Sequence, residues 1–198
     1  MCDCLTLQLN PPGVSRRALA WLYWEAFGAP LTNQLVGSLP CALALVEATA
    51  DSGRALCALH SDSILGLAAL RYGGRRFLSP RLRSCVSAAG ILRGPLACAS
   101  LGIVGHGAKP DEMYVEALAV GAGSRGQGIG RALLQHAFEL ARDEGLAAVS
   151  LDVVDTNTGA RRLYERAGFR AVALSRYPFI GRVLGFSSTI RMVRPLQP

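Results

Sequence analysis

Gly126, Gly128 and Gly130 stand at alternate positions in the stretch SRGQGIGRALLQHA, residues 124–137, and run straight into a segment of helical pattern. Leu133, Leu134, Ala137, Leu140 and Ala141 recur on one face, with Arg131, Gln135, Glu139 and Arg142 largely outward. A helix beginning near Gln127 starts with backbone N–H groups that have no intrahelical partner, and together they carry about half a positive charge. Glycines beside them remove the side chains that would hold an anion off. Arg125 adds a cation at the rim. The segment is therefore built for a phosphate or diphosphate. It is neither of two familiar phosphate loops: Leu133 stands where a dinucleotide turn needs its last glycine, and Ile129 where a P-loop needs its lysine.

The rest of the chain reads as strands alternating with helices. Residues 4–10 alternate apolar and polar as a half-buried strand does, and Pro11-Pro12-Gly13 ends them. Ser15 is placed to cap a helix through Phe27, and Pro40 suits the first turn of another helix over 41–49. Residues 54–60 and 63–72 read as a hairpin that turns at Ser61-Asp62. Residues 73–111 are expected to be helical in two pieces, an insertion before the fourth strand that loosens at Gly105-His106-Gly107. Strands are then expected at 114–120, 147–154, 169–174 and 186–193, with helices over 127–144 and 158–167 stopped by Gly145 and Gly168. The pattern predicts one α/β (α+β) domain over 1–198, with a mixed central sheet of about six to seven strands flanked by helices.

Composition narrows the function classes. Hydrophobic residues make up 51% and charged residues 18%, enough apolar material for one sizeable core. The formal charge is +7, carried almost wholly by arginine because Lys109 is the only lysine. That balance permits an anionic partner without choosing one. No aromatic-and-basic reader motif accompanies it, so nucleic-acid binding is not expected. Cys2, Cys4, Cys41, Cys57, Cys85 and Cys98 form no CxxC pair and no Cys/His cluster, which argues against zinc. Scattered thiols of this kind point to reduced cysteines and a cytoplasmic setting. The start, MCDCLTLQLN, lacks the basic and apolar regions of a secretory signal. Residues 86–105 have the length of a bilayer span, but Arg93-Gly94-Pro95 interrupts them and favours two short helices over a membrane span.

Upstream of the glycine turn lies YVEALAV, and downstream lies NTGARRLYERAGF. Arg125-Gly126-Gln127-Gly128-Ile129-Gly130-Arg131-Ala132 resembles the pyrophosphate-binding R/Q-x-x-G-x-G/A signature of the GNAT superfamily of N-acetyltransferases. Asn157, Ala160, Leu163, Tyr164, Gly168 and Phe169 match that family's N-x-x-A-x-x-L-Y-x-x-x-G-F pattern, in the right order and spacing. The resemblance covers residues 114–174, and the preceding hairpin fits the family's second and third strands. It implies an acetyl-CoA site between two splayed parallel strands, 114–120 and 147–154. The pantetheine arm would follow Leu118, Ala119 and Val120. The diphosphate would meet Arg125, Gly126 and the N–H groups of Gln127, Gly128, Ile129, Gly130, Arg131 and Ala132. Asn157 and Ala160 would line the pantetheine and thiol end. The implied reaction is direct transfer of acetyl to a primary amine, of a small molecule or a protein amino end, in a ternary complex without metal. A backbone N–H near Leu118 would stabilise the developing oxyanion.

Two proton transfers need side chains. The amine must lose a proton before attack, and a carboxylate at the cleft can take it. Glu116, alone in an apolar strand, is the first candidate, and Asp152 on the facing strand is the rival. The resemblance places Tyr164 as general acid to the departing thiolate. His60, His106 and His136 fall at surface or loop positions. Arg75-Arg76, Arg81 with Arg83, and Arg161-Arg162 read as solvated faces that can also meet an anion. For residues 73–111 three roles stay open: a lid that selects the amine, a homodimer contact, or extra core. A catalytically silent acyl-CoA binder, acting as sensor or scaffold, is the alternative to an enzyme.

Overall fold

Ser15 starts the first helix as its position predicts: its hydroxyl accepts from the Ala18 amide at 3.1 Å. The computed structural model describes residues 5–31, 38–61, 63–79, 81–87, 90–91, 94, 109–177 and 185–196. Among them the elements run β1 (Thr6–Leu9), α1 (Arg16–Leu31), α2 (Leu39–Thr49), β2 (Ala55–His60), β3 (Ser63–Arg71) and β4 (Glu112–Val120). They continue with α3 (Ile129–Asp143), β5 (Ala148–Val154), α4 (Thr158–Arg166), β6 (Arg170–Arg176) and β7 (Ser188–Pro195). The strands form one seven-stranded sheet in the order β1-β2-β3-β4-β5-β7-β6. The β4–β5 pair is parallel, and its neighbours are antiparallel. The expected mixed sheet with flanking helices is therefore present.

Alternation of side chains sends each strand's apolar residues to two different cores. Cys57, Leu67 and Ala69 join Leu19, Leu22 and Tyr23 of α1 and Leu45 of α2 on one face. Leu56, Ala68 and Leu70 join Leu133, Leu134 and Phe138 of α3 on the other. Each of those three α3 side chains is fully buried and contributes about 2 kcal/mol by leaving water.

In β4 the alternation breaks. The register passes from Ala69↔Ala117 to Leu70↔Val115, so Glu116 is an extra residue, a β-bulge. Met113 and Val115 face the α3 core, whereas Ala117 and Ala119 face the α1/α2 core. One inserted residue has exchanged the faces.

The stretch expected as a two-piece helical insertion does not begin as helix. Gly73 and Gly74 take positive φ (57° and 73°) and reverse the chain, and Tyr72 and Arg75 exchange backbone hydrogen bonds at 3.1 Å. Phe77 and Leu78 are then buried in extended backbone against the end of α2. There Asp51 donates to the Phe77 carbonyl (2.7 Å) and Ser79 to that of Thr49 (3.0 Å). Burial of two large apolar side chains, with their backbone satisfied by a ladder, outweighs helix propensity here. Residues 82–87 are helical as expected. Residues 95–108, which hold most of the second expected piece, lie outside the described residues, as do most of residues 86–105. Among the described residues no helix is long and apolar enough to cross a membrane. Cys57 is a buried free thiol, Cys41 is a half-buried one, and Cys85 is buried.

Gly66 in β3 is where α3 leans on the sheet. A Cβ there would lie 2.9 Å from Ile129 Cγ2, 3.0 Å from Leu133 Cδ1 and 3.2 Å from the Ala119 carbonyl oxygen. Gly123, by contrast, has nothing within 4 Å of such an atom. Gly66→Val is expected to cost about 2 kcal/mol by overpacking, and Gly123→Ala to stay within about 0.5 kcal/mol of wild type, as read from urea denaturation midpoints.

Candidate active site

The three glycines of the turn serve two different needs. Gly126 and Gly128 have φ of +79° and +81°, a left-handed conformation that side chains resist, and nothing stands within 4 Å of either would-be Cβ. Gly130 is helical and tight: its would-be Cβ lies 3.3 Å from Leu163 Cδ2 and 3.8 Å from both Leu118 Cδ2 and Val120 Cγ2. It brings α3 against α4 and β4.

The left-handed Gly128 also sets where the helix starts. The first turn begins at Ile129 rather than at the expected Gln127, with Ala132 N–H donating to the Gly128 carbonyl at 3.0 Å. No side chain caps this end. The Ile129, Gly130 and Arg131 amides therefore keep unpaired donors at the positive end of the helix dipole, beside open space over two glycines. Ile129 presents only its amide, because its side chain is buried in the α3 core. Such a donor set fits the diphosphate of coenzyme A.

Arg125 departs from expectation. Its Nε donates to the Val120 carbonyl (3.1 Å) and its Nη2 lies 3.7 Å from Glu25 Oε1, so the guanidinium is folded back on the backbone and α1. Gln127 Nε2 donates to the Gly123 carbonyl at 3.3 Å.

The parallel ladder ends early. β4 pairs with β5 from Glu112↔Ala148 to Val115↔Leu151 and no further. Beyond that point β4 stays with β3 as far as Val120↔Gly66, and β5 stays with β7 as far as Val154↔Thr189. A gap opens between them. Gly121 N–H donates to the Leu65 carbonyl across β3 at 2.9 Å, and alternation along the ladder then turns the backbone groups of Leu118 and Val120 towards the gap. Those of Ala119 point to β3, and its side chain is buried in the α1/α2 core. The open edge is therefore narrower than the expected Leu118–Ala119–Val120 run, and Arg125 already holds the Val120 carbonyl.

Glu116 and Asp152 are the first residues past the last β4–β5 pair, one on each strand. Their surroundings differ. Glu116 is aimed by the bulge into protein, its side chain only 4% exposed. Its Oε2 accepts from the Phe77 and Leu78 amides (3.0 and 3.2 Å), and its Oε1 lies 3.1 Å from Arg76 Nε. Burial pushes its carboxyl above the usual range, while Arg76 and the two amides pull the other way. Arg76 is thus half-buried in an ion pair with Glu116 rather than the solvated cation expected. Arg75 pairs with Asp51 at 2.7 Å and Arg161 with Glu165 at 2.9 Å, both exposed as expected.

Asp152 is exposed and accepts one hydrogen bond, from the buried Tyr114 hydroxyl at 2.7 Å. Burial, reinforced by the Asp152 charge, pushes the Tyr114 phenol well above its usual range, so it remains a donor. Arg191, opposite Asp152 in register, turns instead to Glu112 (2.6 Å) and Ser150 (3.4 Å).

Tyr164 lies in the α3 core, its phenol pushed up to about 12 by burial. Among the described residues its hydroxyl has no hydrogen-bond partner. Its ring meets Phe169 edge-on at 5.9 Å, Phe169 meets Phe138 at 5.7 Å, and the Arg194 guanidinium lies 4.0 Å from the Phe138 ring centre. Arg194 also donates to the Ala167 carbonyl at 2.6 Å, fastening the end of α4. Asn157 caps the other end: its Oδ1 accepts from the Ala160 amide at 3.0 Å. Among the described residues no group of His, Cys, Asp and Glu could hold a metal ion. His136 sits 3.4 Å from Glu139 on α3, and His106 lies outside the described residues.

Sequence reasoning missed Tyr114, Gly66, Arg194 and Glu25. Each acts through a partner on another element, and no local pattern marks them.

Comparisons with known proteins bear on the family and the fold. A family model described as "Acetyltransferase (GNAT) family" matches residues 16–169. Streptothricin acetyltransferase of Streptomyces lavendulae is 37% identical over 71 residues, which is 36% of this chain and 38% of that enzyme. The chain thus spans under half of that curated relative's length. Among solved structures, the ribosomal-protein-S18-alanine N-acetyltransferase of Escherichia coli superposes with a TM-score of 0.61 at 18% identity, over 98% of this chain and 96% of its own. A Bacillus subtilis acetyltransferase solved in complex with CoA gives 0.59 at 15% identity, over 98% and 100%. At these identities the structures establish the fold.

Glu116→Ala takes the acceptor from the Phe77 and Leu78 amides and removes the buried carboxylate that faces the half-buried Arg76. It is expected to lower unfolding free energy by about 3 kcal/mol. Glu116→Gln, which keeps an oxygen for the two amides, is expected to lose less in the same denaturation experiment.

Proposed function

This chain belongs to the GNAT acetyltransferase family, and from that premise we propose that it is an acetyl-CoA-dependent N-acetyltransferase acting on a primary amine. The observation that carries the proposal is the coincidence of uncapped amides at the start of α3 with a gap between β4 and β5. Acetyl-CoA, when bound, supplies an activated acetyl group and a thiolate leaving group. The amides of Ile129, Gly130 and Arg131 would hold its diphosphate, and the gap-facing backbone of Leu118 and the Val120 amide would orient its arm. Direct attack by the amine in a ternary complex then asks the protein for two proton transfers.

We assign the first to Asp152. The sequence put Glu116 ahead of it, but Glu116 is buried among three donors, whereas Asp152 is exposed and uses only one oxygen on Tyr114. A carboxylate only 4% exposed and tied to two backbone amides and Arg76 is not open to an incoming amine. Tyr114 then acts as a positioning residue, holding Asp152 at the mouth of the gap. The second transfer falls to Tyr164. Its raised pKa, about 12, keeps the phenol protonated, and its hydroxyl has no other partner among the described residues. Asn157 is occupied as a helix cap, so its contribution on the thiol side is the shape of the α4 start. A cytoplasmic setting fits the free thiols, and the nature of the amine is left to experiment.

Release of free CoA thiol, measured across polyamines, amino acids, aminoglycosides and short peptides, tests the activity directly. No turnover on any amine, with CoA still bound, would favour a silent acyl-CoA binder.

Tyr164→Phe is expected to lower kcat about 100-fold. The sign of the pKa shift adds a second reading. Since the phenol loses its proton only near pH 12, the wild-type to Tyr164→Phe ratio should stay flat from pH 7 to pH 10. Asp152→Asn is expected to lower kcat/KM about 100-fold near neutral pH, and the deficit should shrink as rising pH frees the amine without help.

Gly128→Asp places a carboxylate in the open space of the turn, where nothing lies within 4 Å of the new Cβ. It is expected to abolish the thermal shift produced by acetyl-CoA while the apo protein still melts cooperatively.

A further inference from the structure

Glu25 lies on α1, ninety-seven residues before the turn it touches. Its Oε1 accepts from the Ala122 amide at 2.7 Å, and the same oxygen lies 3.7 Å from Arg125 Nη2. Ala122 opens a single tight helical turn, Ala122–Ser124, whose own amides close on Gly121 and Ala122 (Ser124 N–H to the Gly121 carbonyl at 2.9 Å, Arg125 N–H to that of Ala122 at 3.5 Å). Three residues later the chain enters Gly128 and the uncapped helix. One turn of α1 away, Leu22 approaches the same corner, its Cδ1 3.8 Å from the would-be Cβ of Gly121. From α1, Leu22 thus meets this corner with an apolar contact and Glu25 with a charged one.

A carboxylate beside an anion site repels the anion, so its presence there needs a reason. The reason is geometric. Residues 122–128 form an exposed corner, half-buried only at Ser124, rich in glycine and without its own packing. Left alone, such a segment samples many conformations, and each bound anion has to order it first. A charge-assisted hydrogen bond at 2.7 Å from a helix that is itself packed in the core removes that freedom beforehand. The same carboxylate, with the Val120 carbonyl, fixes where Arg125 points.

We infer that Glu25 is a positioning residue for the diphosphate turn: by holding the Ala122 amide and Arg125 it sets the turn in the shape that binds coenzyme A. The inference rests on the acetyl-CoA reading of the turn. Charge and geometry make opposite predictions, which separates them. Glu25→Ala removes both the charge and the acceptor. Glu25→Gln removes the charge and keeps an oxygen for Ala122.

Calorimetric titration with CoA, together with initial rates against acetyl-CoA, tests it. Glu25→Ala is expected to raise the Kd and the KM for the donor about tenfold and to leave kcat at saturation within about twofold. Glu25→Gln is expected to bind within about threefold of wild type, or more tightly, because the acceptor is retained and the repulsion is gone. Wild-type affinity or better in Glu25→Ala would overturn the inference, since a carboxylate acting by charge alone, or only in folding, behaves that way. A loss in Glu25→Gln as large as in Glu25→Ala would overturn it too. Absence of CoA binding in the wild type is a separate outcome that sinks the acetyl-CoA reading itself and this inference with it. If Glu25→Ala does not fold, Glu25→Asp replaces it: its carboxylate is one methylene short of Ala122, and it is expected to weaken CoA binding while Glu25→Gln does not.

Discussion

The parallel ladder between β4 and β5 stops at Val115↔Leu151, and the rest of the site depends on that stop. A β-sheet interior normally satisfies every backbone group with a neighbour. Here β3 keeps hold of β4 and β7 keeps hold of β5 while the two central strands part. The result is an edge inside a sheet, with the backbone of Leu118 and Val120 facing a gap. The bulge at Glu116 sits at the point of parting and changes which core each β4 side chain enters. Leu118 and Val120 thereby turn their side chains to α3, where they line the space beside Gly130.

The corner before α3 is assembled from distant supports. Gly66 allows α3 to lie close to β3, and Gly130 allows α4 and β4 to close on the first turn of α3. Glu25 ties the corner to α1. None of these residues alters the unpaired amides themselves. They determine where those amides point, and an array of weak dipoles attracts an anion well only when its members converge. The arginine that a linear reading places at the rim is held sideways by the same network.

Two carboxylates, each the first residue past the last β4–β5 pair, illustrate how environment divides them. Glu116 faces two amides and an arginine and is buried, so its charge serves to fasten residues 76–78 against β4. Asp152 faces solvent and a single phenol. The strand positions alone do not separate them. Their partners come from the turn after β3 in one case and from β4 itself in the other.

The strand and helix order, the hairpin, the glycine turn and the second motif were legible in the chain because each is written in neighbouring residues: alternation, helical spacing, glycine where φ must be positive, Ser15 where a helix needs a cap. The same locality explains the misreadings. Residues 73–79 look like the start of a helical insertion until the end of α2 offers their backbone a ladder and the α1/α2 core takes Phe77 and Leu78. Arg76 looks like a surface cation until the bulge aims Glu116 at it. The sequence by itself determined the family, the mixed sheet and the succession of its strands and helices. Only the tertiary structure decided which carboxylate faces solvent, where Arg125 points and what holds the Ala122 amide, because those depend on distances between residues far apart in the chain.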